Sequence, residues 1–235
     1  SGLTTMAHIM IRDALNALQA TGFNFSQFDT DGDGYIDAIG FLHSGYAAEF
    51  GGTDAYGANY INRIWSHQWA LSSLTGMKWT SNTGQSVYTY HISPSVWGTS
   101  GGAIGRIGVV AHETGHFFGL PDLYDGSIGS GIGSWCMMSN AWGFDSSQYY
   151  PPIMSAWSKI KLGWVTPTLI TAPGRYSARQ GCDYPDVFKI TSNFPPGEYL
   201  LIENRQKCKF DAIIRGPGLA IFHIDESASL NTEGY

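Results

Sequence analysis

Near its middle the chain carries the segment HETGHFFGLPD, residues 112–122, in which two histidines are separated by three residues. The apolar residues from Ile104 to Ala111 precede it, which favours a helix running into the segment. On a helix, His112 and His116 lie one turn apart on the same face. Two imidazoles placed in this way can hold one zinc ion. This spacing constrains the fold more than any other feature, because it requires a helix at this point of the chain.

Glu113 follows the first histidine, so it points away from the ligand face but stays within reach of a water on the metal. Zinc lowers the pKa of a bound water from about 16 to about 7, and a neighbouring carboxylate can accept its proton, which is the chemistry of amide hydrolysis. Gly119 is expected to end the helix in a left-handed conformation, and Pro121 prevents the helix from resuming. The chain then turns back, which makes Asp122 the predicted third ligand. The alternative for such paired histidines is a solvated helix face or a set of satisfied core groups.

A second informative stretch is DTDGDGYID, residues 29–37, which matches the start of a calcium-binding loop. Its predicted ligands are Asp29, Asp31, Asp33, the carbonyl of Tyr35, and Asp37. The twelfth position is Gly40, where an EF-hand has a glutamate, and Ala38–His43 is typical of a strand. We therefore expect a structural calcium rather than an EF-hand switch. The alternative is an acidic, glycine-rich turn, although four carboxylates this close would repel one another without a cation.

Charge and hydropathy exclude two classes of partner. The net charge is −6, with only 13 lysines and arginines and no basic stripe, which argues against nucleic acid binding. No apolar run approaches the roughly 20 residues needed to span a bilayer. The chain begins at Ser1 without a methionine or an apolar leader, which indicates a processed or trimmed product, and its polar end at Tyr235 suggests that further sequence follows.

The three cysteines are an odd number, so one has no intramolecular partner. Cys182 and Cys208 flank β-rich segments and are the candidate disulfide, which leaves Cys136 as a buried thiol. The alternative is three buried free thiols.

The spacing of apolar residues predicts a helix over Thr5–Ala20 that backs a sheet, a strand over Ser86–Ile92, and a helix that opens at Pro151–Ile153 and ends at Gly163. Beyond Trp164 short alternating runs predict four antiparallel strands, at Thr168–Thr171, Asp186–Ile190, Tyr199–Glu203 and Leu219–Ile224. We therefore expect two domains, 1–164 and 165–235, the second a β-rich subdomain.

The pattern H-E-x-x-H-x-x-G-x-x-D resembles that of the metzincin clan of zinc peptidases. Four further stretches resemble the immune-inhibitor-A family, the M6 peptidases; these are GLPDLYD at 119–125, IWSH at 64–67, WSKIKLGW at 157–164 and EYLLIENRQ at 198–206. The resemblance implies an α/β (α+β) fold, in which a metzincin-like catalytic domain over residues 1–164 has a twisted mixed sheet, a backing helix and an active-site helix. It also implies that the protein is secreted.

The resemblance also suggests roles for residues around the metal. Comparison with the family pattern W-S-x-M favours Met138 as a methionine turn beneath the ligands, with Met137 as the alternative. Several metzincins have an oxyanion-stabilising tyrosine two residues later, where this chain has Asn140. The candidate donors are then Tyr149, Tyr150 and His223. In metzincins a strand near Ser86–Trp97 is the sheet edge that binds extended substrate, and His67 is interpreted as a structural histidine.

These observations predict a secreted, monomeric zinc endopeptidase in which Glu113 is the general base and protein or peptide chains are the substrates. One alternative is a catalytically silent metal-binding scaffold or adhesion module. Retention of Glu113 argues against it, because structural zinc has four closed ligands and needs no base. Another alternative is a zinc hydrolase of non-peptide amides or esters. If Asp122 is not the third ligand, Asp125 and Glu203 are the next candidates.

Overall fold

The computed structural model describes residues 5–71, 76, 78–125 and 131–229, and the chain divides between Phe117 and Phe118 into two compact units. Each unit combines helix with sheet, and both parallel and antiparallel strand pairs occur. The predicted mixed α/β class is therefore confirmed. Within the described ranges, no helix has the length and apolar character needed to cross a membrane.

The first unit begins with helix α1 and ends with helix α2, and five strands lie between them. Their bounds are α1 Thr5–Ala20, β1 Gly40–His43, β2 His67–Ala70, β3 Trp79–Thr80, β4 Ser86–Val87, β5 Thr89–Pro94 and α2 Ile107–Phe117. β5 is the central strand of a three-stranded sheet, parallel to β1 and antiparallel to β2, whereas β3 and β4 form a separate ribbon. The observed bounds of α1 agree with the predicted ones.

Helix α1 buries one face in the core of this unit. Ala7, Ile11 and Leu15 recur every four residues, and each is at most 1% exposed. Ile11 and Leu15 join a cluster of buried side chains that consists of Phe25, Ile36, Leu71, Trp79, Val87, Tyr90 and Ile92. Burying a large apolar side chain stabilises a fold by about 1.5–3 kcal/mol, so this cluster is what holds α1 in its predicted backing position.

The strand predicted over Ser86–Ile92 is in fact two strands, β4 and β5, because the chain changes partners at Tyr88. The carbonyl of Tyr88 accepts a hydrogen bond from the N–H of Leu71 at 2.7 Å. β4 pairs with β3, whereas β5 pairs with both β1 and β2. The prediction of a substrate-binding sheet edge in this segment is therefore wrong for β5, whose two edges are already hydrogen-bonded.

Two histidines of the first unit, His67 and His8, lie close to Tyr90. His67 Nε2 is 2.7 Å from the Tyr90 hydroxyl, and its Nδ1 is 2.7 Å from the carbonyl oxygen of Trp65. The ring of His8 meets that of Tyr90 edge-on. Burial lowers the pKa of both His67 and His43 to about 4, and it lowers the pKa of His8. These side chains are uncharged at neutral pH, which agrees with a structural role for His67.

The second unit contains helix α3 and a four-stranded sheet. The bounds are α3 Ala156–Lys161, β6 Thr168–Leu169, β7 Val187–Ile190, β8 Glu198–Arg205 and β9 Gly218–Asp225. The strands lie in chain order, and only β6 and β7 run parallel, so the prediction of four antiparallel strands is wrong for β6. α3 begins three residues after the predicted opening at Pro151–Ile153, and Ser155 caps it by accepting the N–H of Ser158 at 3.3 Å.

Helix α3 packs on one face of this sheet. Ala156 of the helix shares a buried cluster with Val187, Tyr199 and Leu201 of β7 and β8, and Phe222 of β9 packs against it. This packing places α3 in the same compact unit as the strands that follow it. The predicted domain boundary between residues 164 and 165 lies within this unit and stays a prediction.

The buried histidines predict that acid destabilises the first unit. A histidine has a pKa of 6.5 in the unfolded chain and about 4 when buried in the fold, so its contribution to the unfolding free energy is complete only above pH 6.5. This contribution is lost as the pH falls toward 4, because the unfolded chain then binds the extra proton. Between about pH 7 and about pH 5 each such histidine should lower the unfolding free energy by about 2 kcal/mol.

Urea unfolding of the metal-free protein at each pH measures this loss. His43→Gln should reduce the dependence of stability on pH by one proton. Equal pH dependence in wild type and His43→Gln would contradict the assignment.

Candidate metal centre

Helix α2 brings together three side chains that the motif predicted as a site. One ligand atom from each of His112, Glu113 and His116 lies within 4.8 Å of the other two. These residues are only 7–8% exposed, although all three are polar. Gly119 has a φ of +76° just beyond the end of α2, as expected for a glycine that ends a helix. The local sequence therefore produces the predicted cluster.

The composition of this cluster suits a divalent transition metal. Imidazole nitrogens and a carboxylate oxygen are the donors that zinc prefers beside thiolates. The residues present thus fit the metal that the motif predicts.

Asp122 belongs to the second unit, where it is only 4% exposed. The next residue, Leu123, donates its N–H to the carbonyl of Met138 at 2.8 Å and accepts the N–H of Ile132 at 3.1 Å. Gly131 is required beside this segment, because a Cβ there would lie 1.8 Å from the Leu123 carbonyl oxygen. Both backbone polar groups of Leu123, the residue after Asp122, are therefore held by hydrogen bonds. The assignment of Asp122 as third ligand stays a prediction.

Met138 lies in the core of the second unit. It is fully buried in a cluster with Leu120, Cys136 and Met154. Met137 is only partly buried and packs against this cluster from outside. The contrast supports Met138 over Met137 as the methionine of the turn, a role that stays a prediction.

Glu203, an alternative third ligand, is occupied by other partners. It is 0% exposed, and its two oxygens accept hydrogen bonds from Lys159 and from Arg205. Arg205 also forms two hydrogen bonds with Asp211. Burial would lower the pKa of Arg205, but the hydrogen bonds to Asp211 and the charge of Glu203 outweigh it and raise that pKa. Glu203 is therefore a member of a buried ion network, and Asp125 is the remaining alternative ligand.

Sequence reasoning missed this network, although β8 contained a signal for it. Side chains alternate between the two faces of a strand. Glu203 and Arg205 therefore lie on the same face of β8 as Tyr199 and Leu201, and all four side chains are buried. Charged residues are almost never fully buried unless paired, so two opposite charges at inward positions indicate a buried ion pair.

The acidic loop brings together three of its four predicted carboxylates. Asp29, Asp31 and Asp37 each offer an oxygen within 4.8 Å of the others. Asp33 is not in this group of described residues, and its Oδ1 accepts the N–H of Tyr35 at 2.8 Å. Asp29 Oδ1 is buried and has no hydrogen-bond partner among the described residues. An oxygen in this state is suited to a cation.

Cys182 and Cys208 form a disulfide with a Cα–Cα distance of 6.4 Å, and Cys136 is a buried free thiol. Cys182 and Cys208 are thus the candidate pair, and Cys136 is the cysteine expected as a buried thiol. The disulfide joins the segment before β7 to the segment after β8. Lys209, next to Cys208, donates to the carbonyl of Cys182 at 3.0 Å, which reinforces the same connection.

The candidate oxyanion donors are all exposed. His223 is about half exposed and lies 3.0 Å from Glu198, while Tyr149 and Tyr150 are 60% and 40% exposed. His223 is thus engaged on the exposed face of the sheet. The oxyanion role stays a prediction for His223 as it does for the two tyrosines.

Two histidines and a glutamate buried together on an HExxH helix define the class of metal-dependent peptidases. Residues 12–165 match the family described as Immune inhibitor A peptidase M6, catalytic domain. The match covers more than half of the chain, and the chain belongs to this family. The resemblance to the immune-inhibitor-A family is therefore confirmed. Membership of a metallopeptidase family implies a bound metal, and His112, Glu113 and His116 are placed to interact with it.

Two relatives illustrate the match. Immune inhibitor A from Bacillus thuringiensis subsp. alesti is 32% identical over 155 residues, which are 55% of this chain and 20% of the relative. The pre-pro-metalloprotease PrtV from Vibrio cholerae serotype O1 (strain M66-2) is 28% identical over 178 residues, which are 65% of this chain and 18% of the relative. The chain thus spans about a fifth of the length of the curated relatives it matches.

Loss of the disulfide should destabilise the second unit. Replacing both Cys182 and Cys208 by serine should lower the unfolding free energy by about 2–4 kcal/mol, because the unfolded chain regains the freedom of a loop closed over 26 residues. A reducing agent should lower the melting temperature of wild type and of Cys136→Ala alike. It should leave the double serine variant unchanged. Equal melting temperatures for oxidised and reduced wild type would refute a stabilising disulfide.

Proposed function

We propose that the chain is the catalytic part of a zinc-dependent endopeptidase with a metzincin-like fold, in which His112, His116 and Asp122 hold the metal. The observation that carries this proposal is the buried cluster of His112, Glu113 and His116 on one helix, in a chain of the M6 peptidase family. Asp122 is the natural third ligand, because it follows His116 by six residues after the turn at Gly119 and is buried.

Glu113 is the general acid and base in this proposal. Zinc, when bound, would supply a Lewis acid that polarises the scissile carbonyl and lowers the pKa of water beside it. Glu113 accepts the proton of the attacking water and then delivers it to the leaving amine. Its burial supports this role, because a carboxylate enclosed by the protein keeps a fixed position from which it can accept a proton and later donate it.

Protein or peptide chains are the proposed substrates, with the monomer as the working form. Secretion is proposed from the family and from the disulfide Cys182–Cys208, because such bonds persist in oxidising compartments. The name pre-pro-metalloprotease, given to the Vibrio cholerae relative, supports the same view.

Metal analysis and proteolysis test the site together. Wild type should contain one zinc by mass spectrometry and cleave casein. Glu113→Gln should keep the zinc and lower the cleavage rate by at least about 100-fold, because only the proton transfer is lost. Asp122→Ala should lose zinc, whereas Asp125→Ala, in the same segment, should keep it.

The outcomes separate the alternatives. Loss of zinc in Asp125→Ala but not in Asp122→Ala would identify Asp125 as the third ligand. Zinc without cleavage of casein would favour a scaffold. Cleavage of small esters or amides, but not of casein or a peptide library, would favour a non-peptide hydrolase.

We further propose a structural calcium at Asp29, Asp31 and Asp37, with Asp33 and the Tyr35 carbonyl as additional ligands. Three carboxylates this close repel one another unless a cation lies between them, and one buried oxygen of Asp29 accepts no hydrogen bond from the residues that the structure describes. The loop is fixed to β4, because the N–H of Ile36 donates to the Ser86 carbonyl at 2.9 Å. A cation there would stabilise the entry to the sheet of the first unit.

Calcium added to metal-free protein should therefore raise its melting temperature. At 100 times the dissociation constant the stabilisation should reach about 2.7 kcal/mol. Asp31→Asn should remove the effect, while Asp13→Asn, an exposed acid on α1, should retain it. If calcium does not change the melting temperature of wild type, the loop is an acidic, glycine-rich turn without a bound cation.

A further inference from the structure

Arg205 occupies the centre of the ion network in the second unit. Its side chain is 0% exposed, and its Nε and Nη2 donate to the two oxygens of Asp211 at 2.6 and 2.8 Å. Nη1 donates to Glu203 at 3.1 Å, and the other oxygen of Glu203 accepts from Lys159. Two cations and two anions balance here, so the network leaves no buried charge uncompensated.

The remaining bonds of this network are to backbone groups. Nη1 of Arg205 also donates to the carbonyl of Trp135 at 2.9 Å, and Nη2 donates to the carbonyl of Ile153 at 3.5 Å. Asp211 accepts the N–H of Ile153 at 3.2 Å. One ion network therefore fixes both ends of the segment between residues 135 and 153.

A short path leads from this network to Asp122. Trp135 is followed by Cys136 and Met138, which are both fully buried. The carbonyl of Met138 then accepts the N–H of Leu123 at 2.8 Å, and Leu123 is the residue after Asp122. Each link is a hydrogen bond or a stretch of at most four residues.

We infer that Arg205 is a positioning residue for the metal site, acting on Asp122 through Trp135, Met138 and Leu123. This inference rests on the proposed function, in which Asp122 is the third ligand. The distance between a metal and its ligand atom tolerates only a few tenths of an ångström, so the backbone that carries the ligand must be held. Neighbouring groups that orient a ligand typically change metal affinity by about 10–100-fold when they are lost.

Arg205→Lys tests the inference, because it keeps the charge and removes the planar fork that reaches two carboxylates and two carbonyls. The matched control is Leu201→Ala, on the same strand and equally buried, which should destabilise the unit by about 2–5 kcal/mol without touching the network. Competition with a chromophoric chelator measures zinc affinity in the folded protein. The dissociation constant should rise about 10–100-fold in Arg205→Lys and less than about threefold in Leu201→Ala.

A second measurement needs no metal. In the metal-free protein, the Leu123 amide should exchange with solvent at least about tenfold faster in Arg205→Lys than in wild type. In Leu201→Ala, the exchange rate of the Leu123 amide should equal that of wild type when the two proteins are compared at equal global stability. If Arg205→Lys does not fold, Asp211→Asn should shift both measurements in the same direction.

Unchanged zinc affinity and Leu123 exchange in these variants would overturn the inference. If zinc affinity and Leu123 exchange change equally in Arg205→Lys and Leu201→Ala, Arg205 stabilises the unit but does not position the metal site. Wild type that binds no zinc would instead refute the proposed function, and the Leu123 exchange would still decide whether Arg205 controls this segment.

Discussion

A guanidinium that is cut off from water must find an acceptor for its donors, and in the second unit this requirement falls on Arg205. The acceptors come from β8 itself, from Asp211 in the following turn, and from the carbonyls of Trp135 and Ile153. A buried ion network is favourable only when all of its members are satisfied. The strand, the turn and the two ends of segment 135–153 are therefore fixed together, and this segment contains the methionine that bonds the backbone beside Asp122.

The same requirement explains where local sequence patterns were misleading. Prolines are favoured in the first turn of a helix, so Pro151–Ile153 predicted a helix start. However, the N–H of Ile153 is bound by Asp211 and its carbonyl by Arg205, and α3 begins only at Ala156. Glu203, weighed from sequence as a possible metal ligand, is bound by the same network. The helix start was misplaced because partners more than 50 residues away in the chain, Asp211 and Arg205, decide the conformation at Ile153.

Features with a local cause were predictable. The cluster of His112, Glu113 and His116 needs only the helical repeat, and the end of α2 needs only Gly119. The role of β5 was not predictable in this way. Its alternating side chains fit any strand, and whether it lies at the centre or the edge depends on pairing with β1 and β2. Sequence could therefore place the chemistry on a helix but not the order of strands behind it.

The disulfide acts on the same segments as the ion network. Cys208 precedes the turn that supplies Asp211, and its carbonyl accepts the N–H of Asp211 at 2.8 Å. On the other side, Gly181 precedes Cys182, and a Cβ on it would lie 3.4 Å from Glu203 Oε2. The disulfide thus joins the segment that packs against Glu203 to the segment that supplies Asp211. With 30 glycines in 235 residues, the unfolded chain has much conformational freedom to lose, and a crosslink at this point reduces the freedom of the segments that hold Arg205 in place.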